Sequence, residues 1–220
     1  MWVTAHPYYE TKMARIKRAD YEKTTQRTRQ QLLNAAAIEF AKAGFPGANI
    51  NTISLAAGYA KGTIYNYFPS KQALLLALID TAAQEHLEFI VSRVSLARDP
   101  ARRLELFLEA GFDFVTLHLP QARVLFNTIN GPDEPLKAHV FERYQPMFQY
   151  LSGEILAPGI EQGVFRPFDP VSMALLLMTI YLGTASQRNV QGEPWLDPRQ
   201  VAALLLDGVR RPKEDDHDHL

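Results

Sequence analysis

Apolar residues recur at helical spacing along most of the chain, and no alternating run long enough for a strand persists between them. Thr24 or Thr25 can cap a helix running to Ala43. Its inward face is Leu32 or Leu33, Ala36 and Phe40, with Gly44 placed to end it and Phe45-Pro46-Gly47 as a turn. Asn49 can open a short helix by accepting from the N–H of Asn51 or Thr52. Ile50, Ile53 and Ala57 form its buried stripe and Gly58 its stop. A second short helix, Lys61 to Phe68, buries Ile64 and Phe68; Pro69 ends it, and Ser70 caps a long helix from Lys71 to about Val94. Two short helices across a tight glycine-bearing turn make a helix-turn-helix pattern. Further helical segments fall near 99–118, 120–130, 134–157, 169–187 and 197–209, separated by prolines and glycines such as Pro100, Pro120, Gly131-Pro132, Pro158-Gly159, Pro170 and Pro198.

This pattern predicts an all-α fold of about nine helices: an N-terminal three-helix helix-turn-helix domain, then an all-helical body. The boundaries read as a basic arm at 1–23, helical from about Thr11, and the first domain at 24–70 with the helix-turn-helix at 49–68. The body follows at 71–212, with an acidic tail at 213–220.

Charge adds an asymmetry. Residues 1–71 carry 10 Lys+Arg against 4 Asp+Glu, a net of +6, whereas residues 72–220 carry 13 against 20, a net of −7. A basic first third on an acidic body suits a polyanionic partner for the first third. The 220 residues contain no cysteine, which excludes a disulfide framework, a thiol nucleophile and a thiolate metal site. The longest apolar stretch, Val171 to Ala185, is 15 residues, short of the roughly 20 that a membrane span requires. The N-terminus has no basic start followed by an apolar core. These features lead us to expect a soluble cytoplasmic protein without a membrane partner.

The segment Asn49–Lys71 reads NINTISLAAGYAKGTIYNYFPSK. Ile53-x-x-x-Ala57-Gly58 followed by Lys61-Gly62-Thr63-Ile64-Tyr65-x-Tyr67-Phe68-x-Ser70-Lys71 resembles the TetR/AcrR family of bacterial transcriptional regulators. Phe40-Ala41-x-x-Gly44-Phe45 fits the end of that family's first helix. The motif resemblance covers about 26–79; beyond it only helical architecture and length agree. Three positions depart: Tyr59 and Ala60 stand where the family usually has Val and Ser, and Leu55 where it is usually polar.

The residue types suit a helix laid in the major groove. Lys61 can reach a guanine edge or a phosphate, and Gly62 allows close backbone approach. Thr63 offers a hydroxyl and a methyl. Asn66 can read adenine, Tyr65 follows on the exposed side, and Tyr67 can donate to a phosphate. Lys71 at a helix start favours a phosphate neighbour. The resemblance adds Asn49 and Asn51 as backbone and base contacts, and places Ala60 within the DNA-binding set. Lys12, Arg15, Lys17 and Arg18 read either as a minor-groove arm or as a solvated tail.

For the acidic body the resemblance implies a small-molecule site and a homodimer interface. The segment Val171–Leu182 is apolar almost all round, and Val201–Leu206 is short and apolar. We expect Leu175, Met178, Leu182, Leu204 and Leu205 at a two-fold interface. Aromatics spread over the central helices, with a few polar groups among them, suit an apolar effector pocket. The candidates are Phe107, Phe114, His118, Phe126, Asn127, Asn130, Phe141, Tyr144, Phe148 and Tyr181.

No nucleophile–base–orienter set, HExxH, GxSxG or phosphate-binding glycine loop is present, so we expect no catalytic residues and no cofactor. Asp216-His217-Asp218-His219 is a weak metal motif, and no metal is expected. The reading is a ligand-responsive repressor that binds a palindromic double-stranded operator as a homodimer and is released by a small apolar or aromatic effector. The alternative is a helical small-molecule-binding protein with little DNA-binding role.

Overall fold

The computed structural model describes residues 7–210, apart from 188, 190–192 and 194. Among the described residues the chain forms nine α-helices and no named strand. Contacts divide it into two compact units, one up to Ala77 and one from Leu78. The expected acidic tail, with its Asp-His run, lies outside the described residues, as do the side chains of Lys12, Arg15, Lys17 and Arg18.

In the first unit α1 spans Pro7–Gly47. It starts well before Thr24, so residues 7–23 of the segment expected as an arm continue the first helix. Gly44 is non-helical at φ +68°, a left-handed conformation in which a side chain would be strained. α2 (Ile50–Ala56) is capped by Asn49, whose side chain accepts from Asn51 N at 2.9 Å. Gly58, at φ +84°, turns the chain out of α2. The expected helix at 61–68 contracts to one 3-10 turn, Thr63–Asn66, entered through Gly62 at φ +86°. The left-handed glycine before it and Pro69 after it leave no room for a regular helix. Leu32, Leu33, Ala36, Phe40, Ile53, Ile64, Phe68 and Leu74 form the unit's core.

Two side chains brace this small unit. The Tyr59 hydroxyl donates to Gln31 Oε1 at 2.6 Å and lies 3.1 Å from Thr28 Oγ1, pinning the inter-helix turn to α1. Lys71 opens α3 (Lys71–Val94). Its ammonium donates to the carbonyls of Pro46 (3.0 Å) and Ala48 (3.2 Å) and sits 5.0 Å from the Phe45 ring centre.

In the second unit, α3 continues from Leu78, followed by α4 (Pro100–Leu117), α5 (Leu119–Ile129), α6 (Glu134–Gln149), α7 (Ala157–Glu161), α8 (Pro170–Ser186) and α9 (Pro198–Val209). Four starts share one device. Asp99, Asp133, Asp169 and Asp197 accept from the backbone N–H of Arg102, Leu136, Ser172 and Arg199, and a proline occupies the first or second helical position. Proline's fixed φ suits that position, where its missing N–H has no helical partner to lose. These prolines therefore open helices as well as separating them.

Pro158-Gly159 does not break the chain as expected. A π-helical stretch, Tyr150–Leu156, carries α6 into α7. Gly159 is buried against Phe165, and a Cβ there would overlap the ring. α4 packs on α8 and α9. The Phe165–Arg210 bridge and the bond from Arg166 N to Val209 O (2.9 Å) fasten the end of α9.

Lys71→Ala should lower the unfolding free energy by about 1–3 kcal/mol, because two backbone carbonyls lose a charged donor. Urea unfolding measures it; an unchanged midpoint would show that water replaces the ammonium at no cost.

Candidate functional site

The helix-turn-helix segment presents a set of polar side chains outward. Lys61, Tyr65 and Asn66 are exposed, as are Asn49, Asn51 and Ala60. Gly62, Thr63 and Tyr67 are half-buried. Ile64 and Phe68 turn inward, and Arg29 of α1 lies 5.3 Å from the Phe68 ring centre. Asn49 has two structural duties before any contact with a partner. Its side chain caps α2, and its backbone N–H donates to Glu39 Oε1 at 3.1 Å. Lys71, expected at a phosphate, directs its ammonium to two carbonyls and the Phe45 ring, so its first role is intramolecular.

The second unit holds a partly open cavity of about 320 Å³ between α4, α5, α6 and α8, with His86 of α3 in its wall. Six of the residues expected at a pocket line it: Phe114, Phe126, Asn130, Phe141, Tyr144 and Phe148. The other four lie outside its lining. Phe107 is core at 1% exposure, and His118 stacks on Phe114 with ring centres 4.3 Å apart. Asn127 is exposed on α5, and Tyr181 is fully buried behind the wall. Sequence reasoning missed the α5 stripe Ala122, Leu125, Phe126 and Ile129, of which it named only Phe126. The i, i+3, i+4, i+7 spacing was the signal that could have found it.

His86 is the cavity's polar centre. Its Nε2 is hydrogen-bonded to the Tyr181 hydroxyl at 2.5 Å, and its ring stacks on Phe114 at 4.1 Å and 5°. Tyr144 and Tyr181 meet it edge-on, each at 5.9 Å. Burial, aided by nearby His118, pushes the His86 pKa down to about 3, so the ring is neutral at pH 7. Burial likewise holds the Tyr144 and Tyr181 phenols above their ordinary range. Gly111 permits this packing, since a Cβ there would come within 2.8 Å of the Tyr181 ring.

The expected interface stripe divides. Met178, at 1% exposure, is buried within the subunit rather than on its surface, which corrects its expected place; Leu182 is half-buried, and both line the cavity. The helix is apolar nearly all round, so spacing could not tell a cavity-facing stripe from an outer one. Leu175 is about half exposed at the cavity edge. Val171, Leu176 and Leu204 are exposed apolar residues on α8 and α9, and Leu205 is half-buried. Among the described residues, no helix is long and apolar enough to cross a membrane.

Exposed polar groups on a short glycine-bounded turn, joined in one chain to a helical unit with an apolar cavity, define a helix-turn-helix regulator. The family model for bacterial regulatory proteins of the tetR family matches residues 32–78. The HTH-type transcriptional repressor NicS of Pseudomonas putida is 31% identical over 160 residues, covering 69% of this chain and 72% of NicS. The chain belongs to the TetR family. Among solved structures, the fatty acid degradation regulator FadR from Bacillus halodurans superposes with a TM-score of 0.74 at 24% identity, covering 84% of this chain and 97% of that one. AibR, solved with isovaleryl coenzyme A and operator DNA, gives a TM-score of 0.69 at 22% identity, covering 84% and 99%.

Two measurements check this geometry. His86 binds a proton readily only when unfolded, so its contribution to stability is complete above about pH 6.5. It should be lost as pH falls toward about 3, at about 1.4 kcal/mol per pH unit. A His86→Leu/Tyr181→Phe double variant should lose that part of the acid slope in urea titrations run at several pH values; an identical slope would refute the neutral buried ring. Met178→Glu should destabilise the fold by several kcal/mol through an unpaired buried carboxylate. Circular dichroism melts read this, and an unchanged melting point would place Met178 on an outer surface after all.

Proposed function

We propose that this chain is a ligand-responsive, DNA-binding transcriptional repressor that works as a homodimer. The carrying observation is the turn Lys61–Asn66, bounded by Gly62 and Pro69, which exposes Lys61, Tyr65 and Asn66 while Ile64 and Phe68 anchor it. Lysine and asparagine are the side chains that read guanine and adenine edges in the major groove. Thr63 and Tyr67, half-buried beside them, suit phosphate contacts. Membership of the TetR family, and AibR's occurrence with both an acyl-CoA and operator DNA, support the same assignment.

Dimerisation would use the exposed apolar side chains of α8 and α9, Val171, Leu176 and Leu204 with half-buried Leu205, paired isologously about a two-fold axis. Two recognition turns then read a palindromic operator. The effector would occupy the cavity against His86. α3 carries both Lys71 of the first unit and His86 of the second in one uninterrupted helix. A ligand with unequal affinity for two arrangements of α3 would shift the population that fits the operator.

Lys61→Ala and Asn66→Ala should each cost about 1–3 kcal/mol of operator affinity and relax preference at defined base positions, with little change on random DNA. Genomic footprinting locates the operator, and electrophoretic shifts on operator and scrambled DNA give the ratio. Equal losses on both would reduce these residues to backbone contacts. A wild-type protein that shifts no footprinted sequence would overturn the regulator in favour of a ligand-binding module.

A further inference from the structure

The link that leads into the recognition turn lies between two glycines. Gly58 (φ +84°) and Gly62 (φ +86°) bound the residues Tyr59-Ala60-Lys61, and a Cβ at either glycine would meet nothing within 4 Å. Glycine has the least restricted backbone of any residue, so neither end stiffens the link. Ala60 and Lys61 are exposed, and burial does not fix them. The turn beyond, Thr63–Asn66, has its own anchors in buried Ile64 and Phe68. The link's backbone bonds run to near neighbours, from Tyr59 N to Ser54 O (2.9 Å) and from Thr63 N to Ala60 O (3.1 Å).

The Tyr59 side chain reaches further. Its hydroxyl donates to Gln31 Oε1 at 2.6 Å, and its oxygen lies 3.1 Å from the Thr28 hydroxyl, which can donate to it. Thr28 is buried at 6% exposure, and the next turn of α1 supplies the core residues Leu32 and Leu33. The tie therefore ends on the packed part of the unit. Valine, which the resembled family usually carries at this position, has no hydroxyl to make it.

Lys61 follows Tyr59 by two positions. A side chain that reads a base edge must be held to within roughly 0.5 Å of its productive position. A charge that only meets phosphate tolerates far more. Whatever fixes the backbone at Lys61 therefore bears on the choice of operator more than on general affinity for DNA.

Resting on the regulator reading above, we infer that Tyr59 is a positioning residue for operator recognition: by fastening the link to Thr28 and Gln31 of α1, it sets where Lys61 enters the major groove. Tyr59 itself touches no base; it acts through Lys61.

The test is a double-mutant cycle on the full chain, Tyr59→Phe with Lys61→Ala. Fluorescence anisotropy, well below the melting temperature, measures affinity for the footprinted operator and for a scrambled duplex. Phenylalanine keeps the half-buried ring and removes only the hydroxyl. Tyr59→Phe should weaken operator binding roughly threefold to tenfold, the size of a net hydrogen bond. Its effect on the scrambled duplex should stay below about twofold, as should its effect on the operator once Lys61 is alanine, because the side chain it positions is gone. An unchanged operator affinity in Tyr59→Phe overturns the inference. Equal losses on both duplexes also overturn it, since the hydroxyl would then be a phosphate contact or a general brace. So does an equal operator loss with and without Lys61, which would uncouple the two residues. Should Tyr59→Phe fail to fold by circular dichroism, Thr28→Val and Gln31→Leu are carried through the same cycle and decide. A wild-type chain that binds the operator while Tyr59→Phe loses nothing removes this inference alone; a wild-type chain that binds neither duplex removes the regulator reading with it.

Discussion

The body of this protein is organised around a histidine that cannot afford its charge. His86 sits on α3 at 1% exposure, bonded to Tyr181 of α8, stacked on Phe114 of α4 and flanked edge-on by Tyr144 of α6. One neutral imidazole thus touches side chains from three other helices, and its contacts set where the cavity wall stands. The arrangement tolerates little change in shape, because Gly111 leaves only enough room for the Tyr181 ring. Low local dielectric makes the His86–Tyr181 bond strong and makes any unpaired neighbour costly.

The first unit solves a different problem. A small helical unit has little core, so local conformation and a few polar ties carry much of its definition. Gly44, Gly58 and Gly62 supply left-handed turns that allow three short segments to cross within a few residues. Tyr59 and Lys71 then fasten the turn and the α1–α2 connection. Tyr59 stands where the resembled family usually has Val. Here its hydroxyl reaches Thr28 and Gln31, so the departure adds a tie to α1. Lys61, Tyr65 and Asn66 are left exposed.

The division of charge follows these roles. The basic residues concentrate in the first third, and the acidic excess lies in the body. Within the body, no Lys, Arg, Asp or Glu lines the cavity; Asp80 instead pairs with Arg143 (3.3 Å) and is hydrogen-bonded to His139 (2.7 Å). Charge is thereby kept apart from the apolar cavity of the body.

Much of this was legible in the residues themselves. Local rules act over three or four positions, so the Asn49 cap, the Gly44 and Gly58 turns and the inward Ile64 and Phe68 could be read directly, as could the all-helical body. The same local rules misjudged Pro158-Gly159 and the length of the recognition segment. There the chain takes a π-helical stretch and a left-handed Gly62, which the spacing of apolar residues did not show. The pocket was legible only as a set of aromatics on central helices. Six of ten stood in the lining, and nothing local could separate Phe126 from Phe107 or turn Met178 away from an interface. Helical periodicity names a face but not its neighbour. On α8, apolar nearly all round, several faces qualify, and only the tertiary packing of α3, α4, α5 and α6 decided which one became cavity wall. The sequence alone determined the helices, their caps and the chemistry of the exposed turn, because those depend on residues close in the chain. The pairing of His86 with Tyr181, 95 residues apart, was decided only when packing buried them as neighbours.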